Sequence, residues 1–444
     1  MANEEVTIFS TGVFVIAVYL IKLVLLMKKD TTSRKEPELG KPLREREFDL
    51  DEQSVFCNSG TYSCVPRRLV HRQIQLIKER EWNPFRWYKT THHQLLEGSL
   101  NAVAQLVGAK KENLTLIDNT TTATNVILKN HKYFPGDKFL VVNQHTYPAV
   151  WKQVEVVARE TPGVGIVDID IPFPIRSKDD IIGPYAKALK ENPGIKIAIV
   201  DHITSNTVTQ MPLQELIDLC HLHDVIVVVD GAHAPGQLQL RVEEYGADYY
   251  VGNLCKWLMT PRSVAFLWVH PKHQSTLRPL VTSHMEYMDN FRERFYSFMT
   301  RDLIPHFLVK DAIEFHKELG GIDVIVPRSS GILTKAVDML SKSWQTRELG
   351  ICPELRAPCM RMLAFPSELN EIYKYSDPGF CRELSEDLCE EGIHVKCFYF
   401  DGKIWCRISC NVWNDMDDFE KVRDVILKFV REKKERIKKR TLTQ

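Results

Sequence analysis

Short apolar runs alternate with amphipathic stretches through the first two thirds of the chain. Helical stretches near residues 178–191 and 213–223, for example, separate consecutive apolar runs. This alternation is typical of βαβ units, in which helices cover both faces of a largely parallel sheet. Such sheets bind ligands beyond the carboxyl ends of their strands. We therefore predict an α/β fold with seven strands, at residues 114–118, 138–142, 165–171, 196–200, 225–230, 248–252 and 264–269.

The alternating pattern weakens after about residue 305, which predicts a second, smaller domain. We expect a large domain over residues 48–305 and a small C-terminal domain over residues 306–444. Residues 28–47 are highly charged and are typical of a linker. Residues 1–47 are therefore predicted to lie outside the catalytic fold.

The N-terminal region contains an apolar run, Val6 to Met27, with Lys22 as its single charge. This run is long enough to cross a bilayer as one helix, and a lysine near its end can reach the headgroups. A cleaved signal peptide fits less well, because the start is acidic and no small-residue cleavage site follows. A buried soluble helix is the other alternative. Basic residues follow the run, so we expect a single-pass anchor in the endoplasmic reticulum or another endomembrane, with the catalytic domain in the cytosol.

Composition excludes some classes of function. The 444 residues carry 58 Lys and Arg against 58 Asp and Glu, and this balance gives no basic surface for nucleic acid. The 11 cysteines show no metal-binding spacing and are typical of reduced, buried thiols. The basic tail at residues 431–440 is expected to end a solvated helix, with a membrane-surface role as the alternative.

The densest chemical pattern lies at residues 225–269. Asp230 ends an apolar strand, where its carboxylate can keep the nitrogen of a bound pyridine ring protonated. Lys256 follows the next strand, and a partly desolvated lysine can form a Schiff base. Gly231 and Gly236 are expected to let the intervening backbone turn tightly. A lysine and an acid in this arrangement are what an electron-sink cofactor requires.

The motifs DGAHAPG and GNLCKW resemble the class V aminotransferase family, in the branch of isopenicillin N epimerase and plant-type L-cysteine desulfhydrases. The similarity runs from about Phe56 to the C-terminal region. It implies the fold type I of pyridoxal-phosphate (PLP) enzymes, with a large domain and a small α+β C-terminal domain. By this resemblance Lys256 forms the internal aldimine, Asp230 pairs with the pyridinium nitrogen, and His233 hydrogen-bonds the ring oxygen, with Ser205 or Asn206.

Weaker motifs extend the resemblance. DNTTTATNVIL is similar to the phosphate-binding turn, with Thr120 and Thr121 at a helix N-terminus, although an ordinary helix cap uses the same groups. Tyr147 in QHTYPAV matches the aromatic residue that stacks on the ring, with ordinary core packing as the alternative. Thr300 in MTRD would reach the phosphate of the partner subunit, which implies a homodimer with shared sites.

The substrate side is also assigned by resemblance. Arg407 in CRISCNVWN is similar to the arginine that binds the substrate carboxylate, and a surface ion pair is its alternative. FCNSGTYSCVP resembles the segment that lines the substrate entrance, with Asn58, Ser59 and Gly60.

Three positions depart from the family pattern. Cys255 stands where a histidine usually precedes the lysine, and Ser263 and Met299 each replace a usual glycine. These changes keep open a different class of function, a membrane-tethered scaffold that retains the fold without catalysis.

The resemblance favours one reaction among several. Loss of the α-proton gives a quinonoid, from which a small amino acid can undergo β-elimination, epimerisation or transamination. We expect a C–S lyase of the cysteine desulfhydrase kind, with epimerase or aminotransferase activity as the alternative. A persulfide-forming desulfurase is not favoured, because Cys397 and Cys406 do not fall where its nucleophile would sit.

Overall fold

The computed structural model describes residues 38–296, 301–373 and 380–442. The apolar run at 6–27, Met299 and Thr300 therefore lie outside the described residues. Within these ranges, no helix combines the length and the apolar character that a membrane span requires.

The strands follow the apolar runs closely. In chain order they are β1 (Val55–Phe56), β2 (Leu114–Ile117), β3 (Lys138–Val141), β4 (Gly165–Asp168), β5 (Ile195–Asp201), β6 (Ile226–Asp230), β7 (Tyr249–Asn253), β8 (Ala265–Val269), β9 (Met360–Ala364), β10 (Ile393–His394), β11 (Lys396–Phe400) and β12 (Lys403–Ser409). All seven strands expected before residue 270 are present, as β2 to β8. Their ends differ from the predicted ends by a few residues.

The seven strands β2 to β8 form one sheet in the order β2-β8-β7-β6-β5-β3-β4. Neighbouring strands are parallel except at β8, which runs antiparallel to both β2 and β7. Alternate side chains of β6 enter different apolar clusters: Val227 and Val229 face one cluster, and Val228 faces the other. Burial on both faces explains why β6 appears in the sequence as a continuous apolar run, whereas the edge strand β4 is only partly buried.

The helices of the described residues connect and cover the strands. They are α1 (Lys41–Glu47), α2 (Arg67–Trp82), α3 (Pro84–Lys89), α4 (Thr91–Val107), α5 (Thr120–Asn130), α6 (Pro148–Glu160), α7 (Asp179–Glu191), α8 (Leu213–His221), α9 (Val242–Tyr245), α10 (Pro271–Gln274), α11 (Phe291–Tyr296), α12 (Ile304–Phe307), α13 (Val309–Glu318), α14 (Gly321–Trp344), α15 (Ser367–Ile372), α16 (Phe380–Glu390) and α17 (Met416–Leu442). The helices expected near residues 178–191 and 213–223 are α7 and α8.

The C-terminal part contains a second, antiparallel sheet in the order β11-β12-β9. Its apolar side chains pack with those of α14 and α17 in a separate cluster. The short strand β1 pairs in parallel with β10, so the segment after α1 is tied to this part of the molecule. Helix α12 crosses the boundary expected at residue 305, and the division into 48–305 and 306–444 stays a prediction.

Candidate active site

A cavity of about 860 Å³ lies at the carboxyl ends of β5, β6 and β7, where a parallel sheet places its ligands. We call it the central cavity. Its wall includes residues from both sheets and from the segment after β1. Ten of the site residues predicted from the sequence line this cavity: Gly60, Thr120, Thr121, Tyr147, Ser205, Asn206, Asp230, His233, Lys256 and Arg407.

Lys256 reaches the central cavity from the turn that follows β7. Its Nζ lies 3.1 Å from Nε2 of His233. Burial lowers the pKa of Lys256 to about 8, Arg407 also lowers it, and the carboxylate of Asp230 acts in the opposite direction. In a fraction of the molecules the Lys256 amine is therefore neutral near pH 7, as a nucleophile requires.

Asp230 is the last residue of β6 and is 2% exposed. Its Oδ1 accepts a hydrogen bond of 2.9 Å from the backbone N–H of Ala232, and burial raises the pKa of the carboxyl. His233 is equally buried, and its Nδ1 has no hydrogen-bond partner among the described residues. Because burial and the nearby Lys256 lower the pKa of His233, the ring is held neutral.

The two glycines of this segment have different roles. Gly236 has a φ of +85°, and a Cβ there would lie 2.9 Å from Cβ of Trp257, so both conformation and space favour glycine. Gly231 does not have a positive φ. A Cβ there would lie 2.4 Å from the ring of Tyr250, so close packing, rather than the expected tight turn, requires this glycine.

The N-terminus of α5 opens onto the central cavity. Oδ1 of Asn119 caps it by accepting from the N–H of Thr122 at 2.7 Å, and the first turn contains no acidic residue. Asn253, the last residue of β7, donates to Oγ1 of Thr120 at 3.5 Å, while its Oδ1 has no partner among the described residues. The helix N-terminus and these polar groups can bind a phosphate. The same helix terminus is thus capped by Asn119 and open to the cavity.

Tyr147 precedes α6 and lines the central cavity with 43% of its surface exposed. The alternative that it is an ordinary core residue is therefore wrong. Its ring is available to a ligand, as stacking on a cofactor would require.

Arg407 lies on β12 and is 2% exposed. Its Nη1 donates to the carbonyl oxygen of Ser205 at 2.6 Å, and its Nη2 donates to Oγ1 of Thr61 at 2.6 Å and to Oδ1 of Asn58 at 3.2 Å. No carboxylate of the described residues lies within ion-pair distance of it, so the surface ion pair is excluded. Burial lowers the pKa of Arg407 to about 10, and the side chain stays charged near neutrality.

The segment at 58–60 is divided between the cavity and the interior. Gly60 lines the central cavity, and a Cβ there would lie 2.7 Å from Sδ of Met360 and 3.2 Å from Cζ of Arg407. Ser59 is fully buried instead. Its N–H donates to Oγ of Ser409 at 2.8 Å, so its contacts join this segment to β12 rather than lining the cavity.

The two described departures from the family pattern differ in position. Cys255 is partly buried beside Lys256, and burial raises the pKa of its thiol. Its side chain does not line the central cavity. Ser263 has a φ of +71°, a conformation that glycine adopts more easily, which explains why a glycine is usual there.

Several cavity residues were missed by the reading of the sequence. Asp201 and Asn253 end β5 and β7, as Asp230 ends β6, and a polar residue at the end of an apolar strand was the available signal. Thr61 directly follows the predicted substrate-entrance residues 58–60. Lys396 and Cys381 carried no motif, and their position in the cavity depends on the packing of the C-terminal part.

Comparison with known proteins identifies relatives of the whole described fold. The family model described as aminotransferase class V matches residues 57–341. The chain is 28% identical over 446 residues to an L-cysteine desulfhydrase of Arabidopsis thaliana, with 91% of this chain and 95% of that protein covered. It is 30% identical to the putative L-cysteine desulfhydrase 1 of Oryza sativa subsp. japonica (86% and 85% covered). It is 27% identical to the isopenicillin N epimerase of Streptomyces clavuligerus (61% and 71% covered).

Solved structures share the architecture. An apo cysteine desulfurase from Thermococcus onnurineus NA1 superimposes with a TM-score of 0.71 at 17% identity, covering 89% of this chain and 99% of that chain. The cystine C–S lyase C-DES, in complex with its reaction product cysteine persulfide, gives 0.69 at 18% identity, covering 84% and 97%. The predicted fold type I with a mostly parallel sheet is confirmed.

Proposed function

Because the chain belongs to the class V aminotransferase family of PLP-dependent enzymes, we propose that it is a C–S lyase that eliminates sulfide from L-cysteine. The observation that carries this proposal is the position of Lys256. Its amine lies 3.1 Å from His233, in the cavity that also contains Asp230 and Arg407. The relatives named L-cysteine desulfhydrase support cysteine as the substrate.

The residues present fit PLP. Lys256 would hold its aldehyde carbon, Asp230 its ring nitrogen, and the N-terminus of α5 its phosphate. Two buried atoms of the central cavity, Nδ1 of His233 and Oδ1 of Asn253, have no hydrogen-bond partner among the described residues, as expected of a site built to receive a polar ligand. When bound, PLP withdraws electrons from the α-carbon of an amino acid and so makes its C–H bond acidic.

Residues of the central cavity would bind the substrate and move its proton. Arg407 is charged and presents a planar donor, so we assign it the substrate carboxylate. Its bonds to Ser205 and Thr61 fix the plane of the guanidinium before a substrate arrives. Lys256 Nζ, with a pKa near 8, is the base that takes the α-proton. Loss of this proton weakens the bond between the β-carbon and sulfur, and sulfide leaves.

The proposed reaction has a balance that can be measured. L-Cysteine and water give hydrogen sulfide, pyruvate and ammonia. Purified full-length protein should therefore release sulfide and pyruvate in equal amounts. Sulfide without pyruvate, or persulfide on the protein with alanine as the other product, would contradict the lyase proposal.

Two cysteines in the central cavity make one control necessary. Cys397 and Cys381 both line it, whereas Cys406 does not. If the reaction is a β-elimination, Cys381→Ser and Cys397→Ser should each keep the ratio of sulfide to pyruvate at one. A desulfurase would lose turnover in one of these variants.

Epimerisation and transamination are the alternatives within the family. An epimerase would convert L- to D-amino acid with exchange of the α-hydrogen and no sulfide, and an aminotransferase would require an oxo acid. The scaffold alternative predicts no bound PLP at all. Chiral analysis of the amino acid after incubation, with and without an oxo acid, distinguishes these outcomes from the proposed lyase.

Two further proposals concern location and assembly. We infer from the apolar run at 6–27 that the chain is anchored in a membrane with its catalytic part in the cytosol, and protease added to intact microsomes should digest that part. The resemblance at Thr300 supports a homodimer with shared sites, which light scattering of the detergent-solubilised protein tests.

A further inference from the structure

Two carboxylates face the central cavity side by side. Asp201 ends β5 and Asp230 ends β6, and the two are register partners in adjacent parallel strands. Partners in such strands lie about 4.8 Å apart and project to the same face of the sheet. Both line the central cavity, with exposed fractions of 5% and 2%.

The surroundings do not neutralise both charges. Among the described residues, no Lys, Arg or His nitrogen lies within 4.0 Å of either carboxylate, although Lys256 is close enough to interact with both. The other titratable groups near the pair are Tyr185 on α7, which interacts with Asp201, and Tyr250 on β7, which interacts with Asp230. Burial, and then the charge of Asp230, raise the pKa of Asp201. Two buried carboxylates that interact in this way titrate as a pair.

We propose that Asp201 and Asp230 share one proton, and that Asp201 is a positioning residue that sets the charge Asp230 presents to the ring nitrogen of the cofactor. The role of Asp201 rests on the proposed pairing of Asp230 with that nitrogen. When PLP is bound, the positive charge of its protonated ring nitrogen would offset the repulsion between the two carboxylates. Both carboxylates could then ionise. The second negative charge then raises the proton affinity of the ring nitrogen.

The apo protein tests the pair without any catalysis. The melting temperatures of the wild type, Asp201→Asn, Asp230→Asn and the double variant are compared between pH 5 and pH 9. A raised carboxyl pKa in the folded state means that stability is lost as pH rises from the unfolded value of about 4. Each single variant should therefore gain several degrees over the wild type at pH 9, with a smaller gain at pH 5.

Additivity decides whether the two residues interact. Because each single substitution already removes the repulsion, the gain of the double variant at pH 9 should be clearly smaller than the sum of the single gains. If the gain of the double variant equals the sum of the two single gains at every pH, the proposal is overturned. Asp168→Asn, at the exposed carboxyl end of β4 in the same sheet, is the matched control for the substitution itself.

The holoprotein provides a spectroscopic signature. With ¹⁵N-labelled PLP bound, the titration midpoint of the ring nitrogen should fall by at least one pH unit in Asp201→Asn, and should be unchanged in Asp168→Asn. An unchanged midpoint in Asp201→Asn would overturn the role of Asp201. If the wild type binds no PLP, the proposed function fails, whereas the apo comparison still decides whether the carboxylates share a proton.

Discussion

Arg407 and Ser205 join the two sheets at the central cavity. Arg407 lies on β12 of the C-terminal sheet. Its Nη1 donates a hydrogen bond of 2.6 Å to the backbone oxygen of Ser205, which follows β5 of the large sheet. The same guanidinium holds Thr61 of the segment after β1. Three separate parts of the chain therefore fix one cationic side chain, and its position depends on all of them.

Arg407→Lys should weaken substrate binding without loss of the cofactor. A lysine keeps the charge but cannot hold Ser205, Thr61 and a carboxylate in one plane. We expect KM for L-cysteine to rise about 10- to 100-fold, which corresponds to the loss of one charge-assisted hydrogen bond or two. Steady-state kinetics measures the change, and the PLP absorbance should match the wild type. An unchanged KM would show that Arg407 does not bind the substrate.

Gly60→Ala should crowd the side chains of Met360 and, less severely, Arg407. The new Cβ would lie 2.7 Å from Sδ of Met360 and 3.2 Å from Cζ of Arg407, so one of these side chains must move. We expect a loss of stability of about 1–3 kcal/mol, typical of overpacking, together with a raised KM.

The matched control for Gly60 is Gly331→Ala. Gly331 lies within α14, and a Cβ there meets nothing within 4 Å. Alanine favours helix over glycine by about 1 kcal/mol, so this variant should be neutral or more stable. Chemical denaturation and KM measured on both variants separate a local clash from a general effect of the added methyl group. Equal behaviour of the two variants would contradict the packing described at Gly60.

The depressed pKa of Lys256 sets the pH dependence of cofactor capture. Only the neutral amine attacks an aldehyde, and the pKa of about 8 makes this form dominant above pH 8. The rate at which apo protein forms its bond with PLP should reach a plateau above pH 8 and fall to roughly a tenth of it at pH 7. Stopped-flow absorbance measures this rate. A rate that still rises tenfold per unit through pH 10 would indicate an ordinary, solvated lysine.

The parts of the site that share one motif could be predicted, and those that depend on packing could not. Asp230, His233 and Lys256 lie within 27 residues of each other in a recognisable pattern, and all three line the central cavity. Asp201 was missed because its partner in the site is its neighbour across β5 and β6, a relationship that only the strand order reveals. The burial of Ser59 follows from its bond to Ser409, 350 residues away.

The seven strands of the large sheet were predictable for a different reason. Six of them are buried almost throughout and appear as largely apolar runs, whereas β4, at the edge of the sheet, is only partly buried. The C-terminal sheet is less visible because its buried strands contain polar residues: Arg361 in β9, and Arg407 and Ser409 in β12, are buried. An apolar run that charged residues interrupt gives a weak signal.

Asp248 is expected to stabilise the fold far from the chemistry. This buried residue precedes β7, and its carboxylate accepts from the N–H of Val227 at 2.9 Å and contacts His221, Lys272 and His273 at 3.0, 2.6 and 2.6 Å. These donors hold the pKa of Asp248 well below its ordinary value despite burial. Asp248→Asn should therefore cost about 3 kcal/mol in free energy of unfolding, as when one partner of a buried ion pair is removed.

The pH dependence of this contribution has a definite sign. Because the pKa of the folded state is depressed, the stabilisation is present above the unfolded value of about 4 and is lost as the pH falls through the folded value. The difference between wild type and Asp248→Asn, measured by urea denaturation, should shrink as the pH falls below 4. Asp338→Asn, which breaks an exposed pair with Lys342, should change stability by less than about 0.5 kcal/mol.

The assignment of Lys256 as the residue that holds the cofactor is tested most directly by its absorption spectrum and by borohydride trapping. Full-length protein incubated with PLP is compared with Lys256→Ala, each is treated with borohydride, and the labelled peptide is identified by mass spectrometry. The wild type should be yellow, lose its visible band on reduction and carry the label on Lys256, whereas the variant should show none of these. A wild-type protein that stays colourless with added PLP, or a label on another lysine, would contradict the assignment and favour a non-catalytic scaffold.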